Sequence, residues 1–271
     1  MDWQSAKPLD HMPTQWRAAC ISRRKENARM IRIDKSILIT GASRGLGLAL
    51  MNGLARRGAR VVGVARHAAE MGAVAEALRW EGLEAHALAC DVGDKEAIYP
   101  MVGAATALVG PLDVLVHNAS TLGPTPLPLL LDTACEDLQR VLEVNVVGPF
   151  RLTKAVAGNM SVRGKGLVMH ITSDAAVSAY PRWGAYGVSK AALEHLGRVW
   201  AAELEGTGVR FVSVDPGEMD TRMYRDAVPD GDYSQLSRPE AVAARLVEWV
   251  AWQSESVPSG ARLEAAKLEA A

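Results

Sequence analysis

From Ser36 onward the chain alternates short apolar runs with amphipathic stretches and carries no tight-hairpin signal. "SILIT" (36–40), "RVVGVA" (60–65), "EAHALA" (84–89), "VLVH" (114–117), "GLVMHI" (166–171) and "VRFVSV" (209–214) have strand length and mostly apolar character. Runs of this kind suit strands buried on both faces of a parallel sheet. Helices are predicted over about 46–57, 68–81, 95–108, 136–159 and 186–204, with a last one from Pro239, where proline suits a first turn. "ARLEA" near Arg262 reads as a closing edge strand. Strict alternation with right-handed crossovers gives an α/β fold, a doubly wound, mostly parallel sheet in a single domain.

Ligands of such sheets bind beyond the carboxyl ends of the strands, so the residues just after each strand are the candidates. The first strand runs into "TGASRGLG", with Gly41, Gly45 and Gly47 spaced G-x-x-x-G-x-G around Ser43, Arg44 and Leu46. Glycines there permit a tight turn and close backbone approach to a pyrophosphate, whose charge the next helix N-terminus receives. A glycine turn alone is weak, because glycines also serve turns without ligands. The second strand ends in "ARH", where an NAD site usually has an acid for the ribose 2′-hydroxyl. Arg66, with Arg44 in the glycine loop, suits a 2′-phosphate instead, and NADP is the expected cofactor. Both arginines could equally be solvated surface residues. Asp91 in "CDV" could accept from an adenine amino group or cap a turn. Asn118 and Ala119 in "HNAS", Ser173 in "TSD", and Pro216, Gly217 and Thr221 in "DPGEMDT" complete the set.

Composition narrows the function. With 271 residues and 49% hydrophobic content, the chain can bury a sizeable core. A net charge of -1 argues against a nucleic-acid surface. No apolar run approaches the roughly 20 residues of a membrane span. The three cysteines are scattered and fit neither a disulfide framework nor a metal site, and the histidines show no metal spacing either, so no metal and a reducing cytoplasm are expected. Residues 1–29 are basic and lack an apolar signal region; they read as a disordered extension, or as sequence upstream of a natural start at Met30. The domain is expected over 30–265, followed by a low-complexity tail at 266–271.

Tyr186 and Lys190 lie four apart in "AYGVSKAALEHL", on one helical face. Alone, such a pair is structural more often than not. Taken in order, "TGASRGLG", "CDV", "HNAS", "NVVG", "ITS", "YGVSK" and "DPG" resemble the short-chain dehydrogenase/reductase family over almost all of 33–265. The resemblance implies a Rossmann-like sheet and a catalytic tetrad of Asn145, Ser173, Tyr186 and Lys190. It implies that Gly41, Gly45 and Gly47 hold the pyrophosphate and that Asp91 binds adenine with Val92 beside it. Asn118 would lie by the adenosine ribose, and 216–221 would cover the nicotinamide. It also implies a homodimer or homotetramer through the helices near 136–159 and 186–204. The chain departs from the family at His117 and Ser120 in "HNAS" and in lacking a "DGG"-like ending.

The implied chemistry is hydride transfer between NADP(H) and a small ketone, aldehyde or alcohol. Ser173 would orient the substrate oxygen. Tyr186 would act as acid/base, its pKa lowered by the Lys190 ammonium. Lys190 would also bond the nicotinamide ribose, and the backbone of Asn145 would hold a water that relays protons. Ala179, Tyr180, Trp183, Met219, Met223 and Tyr224 flank the expected substrate side and suggest an apolar or mixed carbonyl compound. Arg222 and Arg225 could meet an acidic substrate or only solvent. The leucines of "LGPTPLPLLLDT" are expected to pack. The rival reading is a non-catalytic NADP(H)-binding sensor or scaffold, which needs no acid/base group.

Overall fold

The computed structural model describes residues 32–67, 69–252 and 256–268; the expected extension at 1–29 lies outside them, as do the last residues of the tail. Strands β1 (Ser36–Thr40), β2 (Arg60–Ala65), β3 (Ala85–Ala89), β4 (Val114–His117), β5 (Gly166–Ile171), β6 (Val209–Asp215) and β7 (Ala261–Glu264) form one sheet in the order β3-β2-β1-β4-β5-β6-β7. Every pairing is parallel. The order reverses between β1 and β4, and that switch point opens a crevice at the strand ends.

Side chains alternate across the sheet with the strand period of two. Ile37 and Ile39 join one core, beneath helices α1 (Gly45–Arg56) and α2 (Ala69–Trp80). Leu38 joins the other, beneath α3 (Ile98–Val109). Gly63 in β2 is a packing requirement, because a Cβ there would stand 2.7 Å from the sulfurs of Met51 and Met71. The second core is completed by α5 (Gly148–Val162) and α6 (Gly184–Glu203), the first by α8 (Pro239–Trp252). Each fully buried Leu, Ile or Met contributes about 1.5–3 kcal/mol.

The helix predicted over 136–159 is built in three pieces. The α4 segment (Cys135–Leu142) passes through a π turn at Glu143–Val147 before α5 begins at Gly148. Gly148 allows a close crossing, since a Cβ would lie 2.5 Å from the Val92 carbonyl oxygen. The leucine-rich loop also differs from expectation. Leu122 and Leu127 are buried, but Leu129, Leu130 and Leu131 face outward from a 3-10 turn at Leu130–Asp132. A short helix α7 (Arg222–Ala227) follows β6, its first turn capped by Thr221 Oγ1, which accepts from the Tyr224 amide. The chain after β7 makes a 3-10 turn at Ala265–Lys267, and Leu268 packs on the first core. No described helix is long and apolar enough to cross a membrane.

Candidate active site

Two adjoining cavities occupy the carboxyl edge of the sheet. The larger is a cleft of about 1090 Å³ bordered by Gly41, Ser43, Arg44, Gly45, Leu46, Arg66, Asp91, Val92, Asn118, Ala119, Pro216 and Thr221. The smaller, about 290 Å³, lies against Ser173, and Gly217 lines it. Thr172, Tyr186, Pro216, Met219, Thr221 and Met223 border both.

The glycine turn is close-packed. Gly41 has φ +68 and Gly45 φ +56, conformations costly for other residues. A Cβ on Gly47 would stand 2.3 Å from the Gly41 carbonyl oxygen, and one on Gly41 would stand 2.7 Å from the Ala119 Cα. Asn118 locks this turn to β4, its Nδ2 donating to the carbonyls of Thr40 and Gly41 at 3.0 Å. Thr40 Oγ1 in turn accepts from the amides of Asn118 and Ala119. The start of α1 has no side-chain cap and no acid in its first turn, so its amide groups are open to an anion in the cleft.

Asp91 lies farther along the cleft. Its Oδ1 accepts from the Gly93 amide and its Oδ2 from Arg140 at 2.8 Å. These bonds, together with the charges of Arg140 and Arg66, outweigh desolvation and hold the carboxyl below its usual range. Arg140 was not among the sequence-derived candidates. It reaches the cleft from α4, and nothing local to its own segment pairs it with Asp91. Arg44 and Arg66 are exposed at the cleft rim.

At the junction of the cavities, Tyr186 is 8% exposed and borders both, with Ser173 lining the smaller one beside it. Lys190, one helical turn on, is 2% exposed; its Nζ lies 5.4 Å from the Tyr186 ring centre and donates to the Ile171 carbonyl at 2.8 Å. Burial pushes the Lys190 amine down to about 8, against a rise from the Glu194 carboxylate. Burial pushes the Tyr186 phenol well up; the neighbouring Ser173 hydroxyl opposes this, and the charges of Asp174 and Asp215 add to it. The sequence had suggested a phenol lowered by Lys190. In this structure desolvation is the larger effect, and the ammonium is directed to a backbone carbonyl.

Asn145 sits in the π turn, 1% exposed. Its Oδ1 accepts from the Thr121 amide, and its Nδ2 donates to the Thr121 carbonyl and Ser189 Oγ, all at 2.9 Å. Ser189 Oγ donates to the Tyr186 carbonyl, so Asn145 braces the helix that carries Tyr186. Ser173 Oγ donates to Asp174 Oδ1 and accepts from the Ala175 amide. Behind the site, Arg262 bonds Glu194 Oε1 at 3.0 Å, Asp215 Oδ2 at 2.8 Å and the Ser173 carbonyl at 3.3 Å. Arg222 lies beside the larger cleft, and Arg225 is bonded to Asp220, so neither lines the smaller pocket. No group of three or more potential metal ligands occurs among the described residues.

The cleft fits a dinucleotide on its own geometry. It has a glycine cradle with no room for side chains, an uncapped helix start, arginines at one end and the buried Tyr186 and Lys190 at the other. Comparison with known proteins agrees. The short chain dehydrogenase family model matches residues 35–231. A short chain dehydrogenase of Pseudocercospora fijiensis is 37% identical over 194 residues, which are 70% of this chain and 61% of that protein. The matched stretch is therefore less than two thirds of that relative's length. A short chain dehydrogenase structure from Shigella flexneri, complexed with NADP, is similar at TM-score 0.79 and 26% identity over 87% of this chain and 98% of that one. A 7α-hydroxysteroid dehydrogenase complexed with NADH and 7-oxo glycochenodeoxycholic acid reaches TM-score 0.78 and 28% identity over 89% and 98%. The chain belongs to the short-chain dehydrogenase family of nicotinamide-dependent oxidoreductases.

Proposed function

We propose that the protein is an NADP(H)-dependent oxidoreductase that interconverts a ketone or aldehyde with the corresponding alcohol. One observation carries this reading: the buried Tyr186 lies at the seam where the dinucleotide-sized cleft meets the smaller pocket, which Ser173 also lines.

When bound, the cofactor supplies hydride to a carbonyl carbon or takes it from an alcohol. The protein's own work is positioning and proton transfer. Ser173 Oγ would exchange its bond to Asp174 for one to the substrate oxygen and fix its direction. Tyr186, kept protonated by burial, would give its proton to that oxygen as negative charge develops. Lys190 would hold the nicotinamide ribose and, once charged beside the phenol, favour the phenolate left behind. The backbone of Asn145 would hold a water on the path that returns the proton.

Gly41, Ser43, Gly45, Leu46 and Gly47 would enclose the pyrophosphate, and Asp91 and Val92 would meet the adenine. Asn118 and Ala119 would border the adenosine ribose, and Pro216, Gly217 and Thr221 the nicotinamide. Arg44 and Arg66 are the reason for favouring NADP, since two guanidiniums at that end suit a 2′-phosphate. A homodimer or homotetramer in the cytoplasm is the setting we propose; Phe150 on α5 and Val188 and Val199 on α6 leave apolar surface uncovered in the monomer.

The test is to follow NADPH absorbance with the protein and a panel of ketones and aldehydes. Turnover that needs NADPH and a carbonyl compound is expected. Tight NADPH binding with no turnover on any of them would replace this reading with the non-catalytic sensor.

A further inference from the structure

The smaller pocket, where the proposed reaction places its substrate, has a distinctive composition. Two carboxylates line it from the loops after two neighbouring strands: Asp174 follows β5, and Glu218 follows β6. Both are solvent-exposed, and each is oriented by an aromatic hydroxyl. Tyr180 donates to Asp174 Oδ2 at 2.8 Å, and Tyr224 to Glu218 Oε1 at 3.1 Å. The two loops are close enough to act on each other. The Tyr180 phenol is pushed up by its bond to Asp174 and also by the Glu218 charge, and the Tyr224 phenol, raised by burial and Glu218, also feels Asp174.

Nothing in the pocket neutralises these charges. Among the described residues no Lys, Arg or His lines it. A third carboxylate, Asp215, borders the pocket but is bonded to Arg262. Arg225, the cation nearest in sequence to Glu218 apart from Arg222, is bonded to Asp220 and lies over the Tyr233 ring. The rest of the lining combines the hydroxyls of Thr172, Ser173 and Thr221 with aromatic and apolar side chains: Trp183 meets the Tyr186 ring edge-on at 5.7 Å, with Leu122 and Met223 beside them.

An anionic substrate would meet uncompensated repulsion here, and a neutral one could use the carboxylates only as acceptors for its O–H or N–H groups, with no attraction of opposite charge. An organic ammonium gains from both wall types, because aromatic faces attract it through their quadrupoles and carboxylates through their charge. A hydrated metal ion would use the carboxylates and waste the aromatic walls. We infer that the substrate is a small carbonyl compound or alcohol bearing a cationic ammonium group, seated between Asp174 and Glu218 with its reacting carbon toward Tyr186. This rests on the oxidoreductase reading for the reacting end of the molecule, but the cation preference is a property of the pocket and can be measured apart from turnover.

The experiment uses isosteric pairs that differ only in charge. In calorimetric titrations, choline is compared with 3,3-dimethylbutan-1-ol. In NADPH turnover, acetonyltrimethylammonium is compared with 4,4-dimethylpentan-2-one, and the comparison is repeated in Glu218→Gln, which keeps an acceptor for the Tyr224 hydroxyl. The cation is expected to bind at least tenfold tighter than its neutral isostere. The cationic-to-neutral ratio of kcat/KM should fall at least fivefold in the variant, a comparison in which intrinsic carbonyl reactivity cancels. Equal binding of the charged and neutral alcohols, or a ratio unchanged by Glu218→Gln, overturns the inference and leaves the oxidoreductase reading standing. A clear cation preference in titration with no turnover of any carbonyl compound does the reverse.

Discussion

Lys190 stands 5.4 Å from the centre of the Tyr186 ring but gives its Nζ hydrogen bond to the Ile171 carbonyl. The two side chains thus share one helical face, while that of Lys190 is anchored to the end of β5. Removing the phenol hydroxyl alone separates chemistry from binding. Tyr186→Phe is expected to lower turnover at least 10³-fold, on the scale of a lost acid/base group. NADPH affinity should stay within about threefold, read by fluorescence titration. Near-normal turnover in this variant would remove Tyr186 from the mechanism.

Lys190 also imposes a cost on the fold. Its amine titrates near 8 in the folded protein, below its ordinary value of 10.5, because burial disfavours the charge. A lysine depressed in this way binds its proton more weakly folded than unfolded. It therefore destabilises the fold below about pH 8, and the penalty fades as pH rises from 8 toward 10.5. Lys190→Met is expected to stabilise the cofactor-free protein by roughly 2 kcal/mol at pH 7 while removing activity. The gain should shrink at pH 9.5, measured by denaturant unfolding at both pH values.

The buried histidine pair makes the protein acid-sensitive. His117 on β4 and His170 on β5 face each other at 5.2 Å, and His117 bonds Thr153 through Nε2. Among the described residues neither ring nitrogen of His170 has a hydrogen-bond partner, and burial, helped by Lys190, pushes its imidazole down to about 3. Its folded value lies below the unfolded 6.5, so the stability is complete above about pH 6.5 and is lost as pH falls toward 3. The slope per histidine approaches about 1.4 kcal/mol per pH unit. His170→Leu should flatten the fall in stability between pH 6.5 and 4.5, followed by urea denaturation. A slope identical to that of the unmodified protein would show that His170 does not drive the acid response.

Cofactor choice is testable at the rim of the cleft. Arg66→Asp replaces a positive charge near Asp91 with a negative one, where a 2′-phosphate would otherwise be held. NADPH affinity is expected to fall at least tenfold and the NADPH-to-NADH preference to shift toward NADH, both read by binding titration. An unchanged preference would count against the role of Arg66.

Arg262 on β7 ties helix α6 to the ends of β5 and β6 through Glu194, the Ser173 carbonyl and Asp215. Glu194 has 3% of its side chain exposed and Asp215 11%, so Arg262→Leu takes the shorter ion pair from two nearly buried carboxylates and leaves Glu194 with Thr172 and the 3.7 Å pair to Arg198. A loss of about 3 kcal/mol is expected. Adding Glu194→Gln should restore at least 1 kcal/mol of it by removing one stranded charge. Additive losses in a double-mutant cycle would show that the two side chains do not interact.

The strands and helices were legible because each is written in local apolar periodicity, and the glycine turn because its backbone demands are local too. Asn145 was visible as an ill-fitting residue in a helix. The π turn that carries it was not, since its extra residue leaves no compositional mark. The pairing of Arg140 with Asp91 spans 49 positions and that of Arg262 with Glu194 spans 68, distances over which a single sequence offers no pattern. Asp174 and Glu218 were in plain view after β5 and β6, in "TSD" and "DPGE", but their convergence on one pocket depends on how two adjacent loops fold. The leucines at 129–131 look like core residues by composition and lie on the surface because the 3-10 turn carries them outward. The direction of the Tyr186 shift depended on the balance of burial against charge, and only the packed structure sets that balance.

The π turn at Glu143–Val147 has a consequence for how this chain tolerates change. A π turn holds one residue more than the α-helical turn it replaces, and each residue added or removed rotates what precedes it by about 100°. Deleting any one residue there would let the helix relax to ordinary winding, but Asn145 would swing away from Thr121 and Ser189. The segment thus specifies its length as well as its residues: it acts as a length gauge, in which an insertion or deletion would displace Asn145 from its partners even with every residue type kept.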